Sequence, residues 1–347
     1  MKEKKTKRKA GRAILIFICV VLALVLTVMA IAIAYMDKVL NLMGRNPDDS
    51  TMSSEEYQEF INSNTEETLS QEQQENAIDP DDVIWDIDTR PLVRQEHVIN
   101  ILLIGQDRRK GEVRSRSDAM ILCSLNTATG ELTLTSFMRD MYVPIPGYGN
   151  ERINVCYRVG GMKLLDKCLE QNFGVEVDGN IEVDFAGFQK VINLIGGVDV
   201  ELTEAEAKYM ANRGHDVVPG INHFNGNQAL NYARNRWVGN SDFSRTERQR
   251  KIISAAIEKC RSLNFFQIKN VIEQALPMVT TDMTNMELID YALEVLPLLK
   301  DLKINTQQIP EFGTFTDAAV EGVGLVLVPN LGANRRILEK YTEMETE

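Results

Sequence analysis

HVINILLIGQDRRKGEVRSRSDAMILCSLNTATGELTLTSFMRDMYVPI, residues 97–145, alternates short apolar runs with short polar breaks. His97–Gly105 is an apolar run ending in glycine and reads as a buried strand. Ala119–Asn126 reads as a second strand, and Glu131–Phe137 alternates as a third. The turn residues from Asn126 to Gly130 join these two as a hairpin. Met141–Ile145, just before Pro146 and Gly147, reads as a fourth short strand. Beyond residue 160 the period changes. Gly161–Asn172 fits an amphipathic helix ended near Gly174. Asp184–Ile195 fits another, with Phe185, Phe188, Val191, Ile192 and Ile195 on one face and a glycine pair as its stop. Val198–Leu202 is strand-like. Helices are expected at Asn225–Arg234, Asp242–Leu263, Phe265–Ala275 and Thr284–Leu299, and strand-like segments recur at Lys303–Ile309 and Gly324–Val328. The order is mixed, without a regular βαβα repeat. It predicts an α/β (α+β mixed) fold, a central mixed sheet flanked by helices in one domain over residues 91–340.

Outward from this body, the N-terminus divides sharply by charge. Residues 1–12 carry a net +6, residues 13–36 carry no charge, and residues 37–90 carry a net −12. The whole chain of 347 residues is at −12, which leaves the remainder at −6. The uncharged run AILIFICVVLALVLTVMAIAIAYM would span about 36 Å as a helix, enough for a ~30 Å hydrocarbon core. It predicts one N-terminal transmembrane helix, residues 13–36. The positive-inside rule then puts the basic tail, residues 1–12, in the cytoplasm and the rest outside. The expected localisation is therefore the cell membrane, single-pass, with the body extracytoplasmic and the lipid bilayer as a partner. Residues 37–90 read as an acidic extracytoplasmic linker, too polar to offset its ordering entropy, with a transient helix expected where Tyr57, Phe60 and Ile61 sit at helical spacing. An acidic chain argues against nucleic acid as a partner. The cysteines show no C-x-x-C pair, and Cys123, Cys156, Cys168 and Cys260 read as structural thiols.

Five places in the body break the core-forming pattern. Asp107 follows the first strand. Arg114, Arg116 and Asp118 precede the second. Arg139 and Asp140 lie between the third and fourth. Arg234 and Arg236 end a helix. Asp242, Arg245, Arg248, Gln249 and Arg250 open the long helix. Strand ends and helix starts are where open α/β sheets place their sites. Asp107 and Asp118 flank one connection, and two carboxylates with room for water suit Mg²⁺. Arg245, Arg248 and Gln249 share a helical face by spacing. Arg in place of Lys suits bidentate recognition of phosphate oxygens. With no histidine among these residues, a proton acceptor would have to be an aspartate: Asp107, Asp118 or Asp242.

The segments NILLIGQDRR, RSDAMILCSLN, LTLTSFMRDMYVPIPGYG, ERINVCYRVGG, VEVDFAGFQKVINLIGGVDVEL, GINHFNGNQALNYARNR and DFSRTERQRKII resemble the LytR-CpsA-Psr family of cell-envelope proteins, over about residues 97–260. The resemblance implies a phosphotransferase that moves a glycopolymer, such as teichoic acid or capsule, from a polyprenyl-diphosphate carrier to a peptidoglycan acceptor. It implies Mg²⁺, or Mn²⁺ in its place, on Asp107 and Asp118. It implies diphosphate binding by Arg116, Arg139, Arg234, Arg236, Arg248 and Gln249, and a catalytic set of Asp107, Arg139, Asp242 and Arg245. The polyprenyl tail would occupy an apolar tunnel between sheet and helices. Gln106, Met138 and the short loop with Trp237 depart from the family's usual residues. Competing readings are a polyprenyl-diphosphate hydrolase and a non-enzymatic envelope attenuator or lipid-binding protein. The polymer and the oligomeric state are left open.

Overall fold

The computed structural model describes residues 34–45, 50–63, 70–83, 85, 97–108 and 114–342. Its strands in chain order are Gly44–Arg45 (β1), Val98–Gln106 (β2), Ser117–Asn126 (β3), Glu131–Phe137 (β4), Tyr142–Ile145 (β5), Gly149–Arg152 (β6), Gly179–Asp184 (β7), Val198–Leu202 (β8), Gly220–Phe224 (β9), Val279–Thr281 (β10), Lys303–Ile309 (β11), Phe315–Val320 (β12) and Gly324–Pro329 (β13). Its helices are Ser54–Ser63 (α1), Gln71–Glu75 (α2), Asn154–Phe173 (α3), Phe185–Leu194 (α4), Glu204–Ala211 (α5), Gly226–Ala233 (α6), Ser241–Arg261 (α7), Phe265–Ala275 (α8), Asn285–Val295 (α9) and Leu331–Thr342 (α10).

Seven strands form the expected mixed sheet, in the order β1-β10-β7-β2-β3-β4-β11. β2, β3 and β4 pair antiparallel, while β7 joins β2 and β11 joins β4 in parallel. These directions bring the C-terminal ends of β2, β4, β7 and β11 to the same end of the sheet as the start of β3. Period-2 alternation fills both faces. On one, Leu102, Ile104, Met120, Leu122 and Phe137 pack with the buried residues of α3. On the other, Ile121, Leu125, Leu132 and Leu134 meet Ile253 and Ile257 of α7. A third cluster joins the β8–β9 hairpin to α4, α5, α6 and α7. Ile192 and Ile195 are buried in that cluster, so this part of the α4 stripe is packed core.

The helix expected from Gly161 begins earlier, at Asn154, because two helical pieces join across a kink. Gly161 sits at φ 66 and ψ −157 there, a backbone that only glycine adopts without strain. A larger difference concerns residues 37–90. Their composition predicts a solvated spacer, yet the parts described between residues 50 and 85 fold onto the body. Tyr57 is buried and meets Tyr148 edge-on at 4.9 Å. Met52, Phe60, Ile61 and Trp85 pack against the main core. The Met52 amide donates to Val159 O at 2.9 Å, and Tyr148 Oη donates to Met52 O at 2.6 Å. Further along, the Ile78 amide donates to Ala319 O at 2.8 Å. A few apolar residues spaced along an acidic strap are enough to dock it, and averaged composition hides them.

The predicted tail, residues 1–12, and residues 13–33 of the predicted span lie outside the described residues. Residues 34–40 are helical. Among the described residues no helix is long and apolar enough to cross a membrane. Cys123, Cys156, Cys168 and Cys260 are free thiols.

Candidate active site

The strand ends collect the polar residues. Asp107 lies one residue past β2, Arg116 precedes β3, Asp118 is its second residue, and Arg139 and Asp140 form the turn after β4. α7 adds Asp242 from its first turn. These six and Arg236 line one open cavity of about 1390 Å³. The chain enters α7 through Ser241, which holds a left-handed φ of 40, and the Asn240 amide donates to Ser244 Oγ at 2.7 Å. Such backbone strain persists where surrounding contacts fix it, and it clusters at functional sites. The helix N-terminus itself favours negative charge.

Arg139 is the hub. Its Nη1 donates to Asp118 Oδ1 at 2.7 Å, its Nη2 lies 3.5 Å from Asp242 Oδ2, and its Nε lies 3.4 Å from Asp140 Oδ2. Asp242 Oδ1 also holds Arg236 Nε at 3.1 Å and Arg245 Nη1 at 3.3 Å. Asp107 Oδ2 lies 3.6 Å from Arg234 Nη2, and both side chains are more than half exposed. The Arg234 guanidinium lies 4.5 Å over the Phe185 ring.

These contacts separate the carboxylates. Burial, then the hydrogen bond with Asp242, pushes Asp140 up to about 6, with Arg139 pulling the other way. Burial also acts on Asp242, but the Asp140 hydrogen bond and the charges of Arg245, Arg139 and Arg236 hold it below the ordinary range. Burial works against the charge of Arg139, yet Asp140, Asp242 and Asp118 together raise its pKa. Burial and the neighbouring Arg139 push Arg245 down to about 10, against the pull of Asp242. A pair of titratable groups pushed apart by environment is an acid–base assignment in outline.

The sequence-predicted residues do not all converge. Arg234 and Arg236 diverge, one to Asp107 and one to Asp242. Arg248 turns away from the cavity altogether. Its Nε donates to Glu206 at 2.8 Å, its Nη1 to Asn235 O at 3.0 Å and its Nη2 to Val238 O at 2.7 Å. Expected from the sequence to bind diphosphate, it instead contacts Glu206 and braces the loop that carries Arg236. Arg114 is buried and donates to Ser50 O at 2.6 Å. Arg245 is buried behind Asp242, with Nε and Nη2 lacking hydrogen-bond partners among the described residues. Gln249 Oε1 is likewise buried and unpartnered, and neither residue lines the cavity.

Asp107 and Asp118 both line the cavity and supply hard oxygen donors. Among the described residues no group of three or more acidic, histidine or cysteine side chains gathers to hold a metal. That donor set fits Mg²⁺, which keeps several waters and is usually held by one or two carboxylates plus substrate phosphates.

Several cavity residues carried no role in the sequence reading. Asp140 was visible only as the neighbour of Arg139. Phe60, Arg152, Asn154 and Arg158 also line the cavity. The last three sit in ERINVCYR, around a strand-to-helix boundary that the sequence placed too late. Phe60 belongs to the strap, where the helical spacing of Tyr57, Phe60 and Ile61 signalled a helix but not its docking.

Comparison with known proteins follows the same geometry. A family model described as the LytR_cpsA_psr family matches residues 53–328. The polyisoprenyl-teichoic acid–peptidoglycan teichoic acid transferase TagU of Oceanobacillus iheyensis is 36% identical over 180 residues, covering 50% of this chain and 55% of that protein. The regulatory protein MsrR of Staphylococcus aureus is 35% identical over 163 residues, covering 46% and 49%. The match thus spans about half the length of these curated relatives. Among solved structures, TagT bound to LIIa-WTA aligns with a TM-score of 0.59 and 25% identity, covering 75% of this chain and 98% of that one. With the family model running from the docked strap through the last sheet hairpin, the chain belongs to the LytR_cpsA_psr family.

Proposed function

We propose that this chain is a membrane-anchored phosphotransferase that moves a glycopolymer from a polyprenyl-diphosphate carrier to peptidoglycan. The observation that carries this reading is the meeting of Asp107, Asp118, Arg116, Arg139 and Arg236 in one cavity at the end of the sheet. The name of the TagU relative, which specifies a polyisoprenyl-linked donor and a peptidoglycan acceptor, supports it.

Phosphoryl transfer needs positioning and charge neutralisation more than covalent help from the protein. Arg139, Arg236 and Arg116 would bind the diphosphate oxygens, the first two fixed in place by the carboxylates they already contact and Arg116 by the Phe60 ring. Mg²⁺, or Mn²⁺, held by Asp107 and Asp118 would supply further neutralisation of the diphosphate. The acceptor hydroxyl forms a bond to the polymer-side phosphorus while the bond from that phosphorus to the lipid phosphate oxygen breaks. Polyprenyl phosphate leaves. Asp242 is a poor proton acceptor because three arginines hold it ionised. Asp140, in the same cavity and raised toward neutrality, takes the hydroxyl proton. Water in the acceptor's place would give a hydrolytic side activity.

The remaining elements of the reading are a residues 13–36 anchor and an extracytoplasmic body. Asp107→Asn and Asp118→Asn, made separately, test the metal assignment. Each should abolish Mg²⁺-dependent consumption of a lipid-diphosphate-linked donor while leaving the thermal melt unchanged. Full turnover in either folded variant would refute the assignment.

A further inference from the structure

α3 carries two of the chain's five cysteines, Cys156 and Cys168. Along a straight helix their spacing would part them by about 18 Å. The break at Gly160 and Gly161, both outside helical φ and ψ, divides α3 into a short first piece and a long second one. A Cβ on Gly160 would meet Leu164 Cβ at 2.5 Å, so the pieces approach closely at the break. The turn brings the two thiols together: the Cys156 thiol hydrogen-bonds to the Cys168 sulfur. The β5–β6 hairpin marks the same meeting independently. Glu151 of β6 acts on the Cys156 thiol, and Cys168 Sγ lies 3.8 Å from Pro144 O of β5. Pro144 pairs with Asn150 and Val143 with Glu151, so Pro144 and Glu151 lie one step apart in the ladder. Asn172 Nδ2 donates to Pro144 O at 2.9 Å and to Cys168 Sγ at 3.4 Å. Both cysteines are 0% exposed, inside the main core cluster, while Cys123 and Cys260 pack in two other clusters.

The structure shows the pair reduced. Outside the cytoplasm, disulfides form and persist. We infer that Cys156 and Cys168 become joined by a disulfide as the exported body folds, a covalent modification that staples the two pieces of α3 across their break. The oxidant is itself a disulfide, carried by a thiol–disulfide oxidoreductase. One cysteine thiolate attacks an oxidant sulfur, and the other oxidant sulfur leaves as a thiol. The second cysteine attacks the protein sulfur of that mixed disulfide and releases the remaining oxidant thiol. The protein gives up two electrons and two protons, and the oxidant takes both. Burial sets the timing. In the finished core, burial and then the hydrogen bond to Cys168 push the Cys156 thiol up, which leaves little thiolate to react. The bond therefore forms before the core closes and is sealed in when it does. Asn154 and Arg158 line the cavity from the short piece, so the staple also steadies that wall. This rests on the proposed extracytoplasmic placement of the body and not on transfer.

The test counts thiols in the full chain taken from its own membranes. Cells are quenched in acid, and the denatured protein is alkylated with N-ethylmaleimide before and after reduction. Of the five cysteines, three should react before reduction and all five after it. A tryptic digest should hold the Cys156 and Cys168 peptides together until reduction, because Arg158, Lys163 and Lys167 lie between them. Cys156→Ser and Cys168→Ser should each expose every remaining thiol without reduction, a count that needs no folded variant. In micelles the linked protein should melt about 5–10 °C above the reduced one, the scale for closing so short a loop. Five adducts without reduction, or a link between other cysteines, overturns the disulfide. An unchanged melt overturns the staple. Protease added to protoplasts reads the placement separately: free thiols in a body that the protease digests refute the disulfide alone, and a body it cannot reach refutes the placement and the disulfide with it. A linked pair in a chain that transfers no polymer would sink the transferase reading alone.

Discussion

Arg139→Gln is the most searching perturbation of the site. It removes the cation shared by Asp118, Asp140 and Asp242, at 2.7, 3.4 and 3.5 Å, and leaves a neutral amide of smaller reach. At an effective dielectric of about 20, each contact near 3.4 Å is worth about 5 kcal/mol of gross attraction. Desolvation offsets most of that. Breaking a buried pair by deleting one partner costs about 3–5 kcal/mol net. The Arg139 side chain is 21% exposed, so we expect a stability loss of about 2–3 kcal/mol. Loss of one donor aimed at transition-state charge should lower kcat about 10²–10³-fold. The sharper signature is in pH. Arg139 pulls the Asp140 carboxyl down against its burial, so removing it moves Asp140 above its present value of about 6. Because a base acts when ionised, wild-type kcat/KM should rise through pH 6 and then level off, and the variant's rise should come at higher pH. The stability sign runs the other way. Raised above the ordinary aspartate range, Asp140 favours the fold when neutral, so that contribution is full below about pH 4 and fades as pH climbs through 6. In the variant the fading should extend further upward. The assay is kcat/KM against pH for the full chain, paired with thermal melts at each pH. A limb that stays put or moves to lower pH, or a rate loss under about tenfold, would refute the hub reading of Arg139.

Asp140→Asn should remove the limb near pH 6 and leave a slow, pH-flat rate; a limb that persists would move the base elsewhere. Tyr57→Ala, which deletes a buried ring in edge contact with Tyr148, should destabilise the body by about 3–5 kcal/mol in denaturant titrations. A loss under about 1 kcal/mol would restore the view of the strap as a spacer. Arg248→Met strands the buried Glu206 and two loop carbonyls, and should cost about 3–5 kcal/mol of stability. If it instead weakened donor binding with the melt unchanged, Arg248 would be a phosphate ligand after all. Chelation with EDTA should stop turnover while shifting Tm by no more than a degree or two, since Asp107 is more than half exposed and anchors no core; a large Tm drop would make the ion structural.

What was legible in the sequence follows from what dominates locally. β2, β3 and β4 were readable because their apolar alternation and glycine-bearing turns act over a few residues. The placing of Asp107, Asp118 and Arg139 followed, since antiparallel neighbours must bring those ends together. The strap was not legible: Tyr57, Phe60 and Trp85 gain their burial from partners such as Tyr148 and Tyr142, far away in the chain. The surroundings of Arg248 were not legible, because helical spacing shows a shared face but not what lies opposite it. Only the fold puts Glu206 there, 42 residues earlier. The roles of Asp140 and Asp242 were also hidden, because their separation depends on burial and on how three arginines divide between two carboxylates.

The central claim is transfer, and one experiment meets it directly. The full chain in micelles would be incubated with Mg²⁺, a polyprenyl-diphosphate-linked glycopolymer and peptidoglycan oligomers, and the products weighed by mass spectrometry. The account predicts polymer joined to peptidoglycan through a phosphodiester, with polyprenyl phosphate released in equal amount and both absent in Asp107→Asn. Free polymer phosphate without a peptidoglycan adduct, or no metal-dependent product at all, would contradict it.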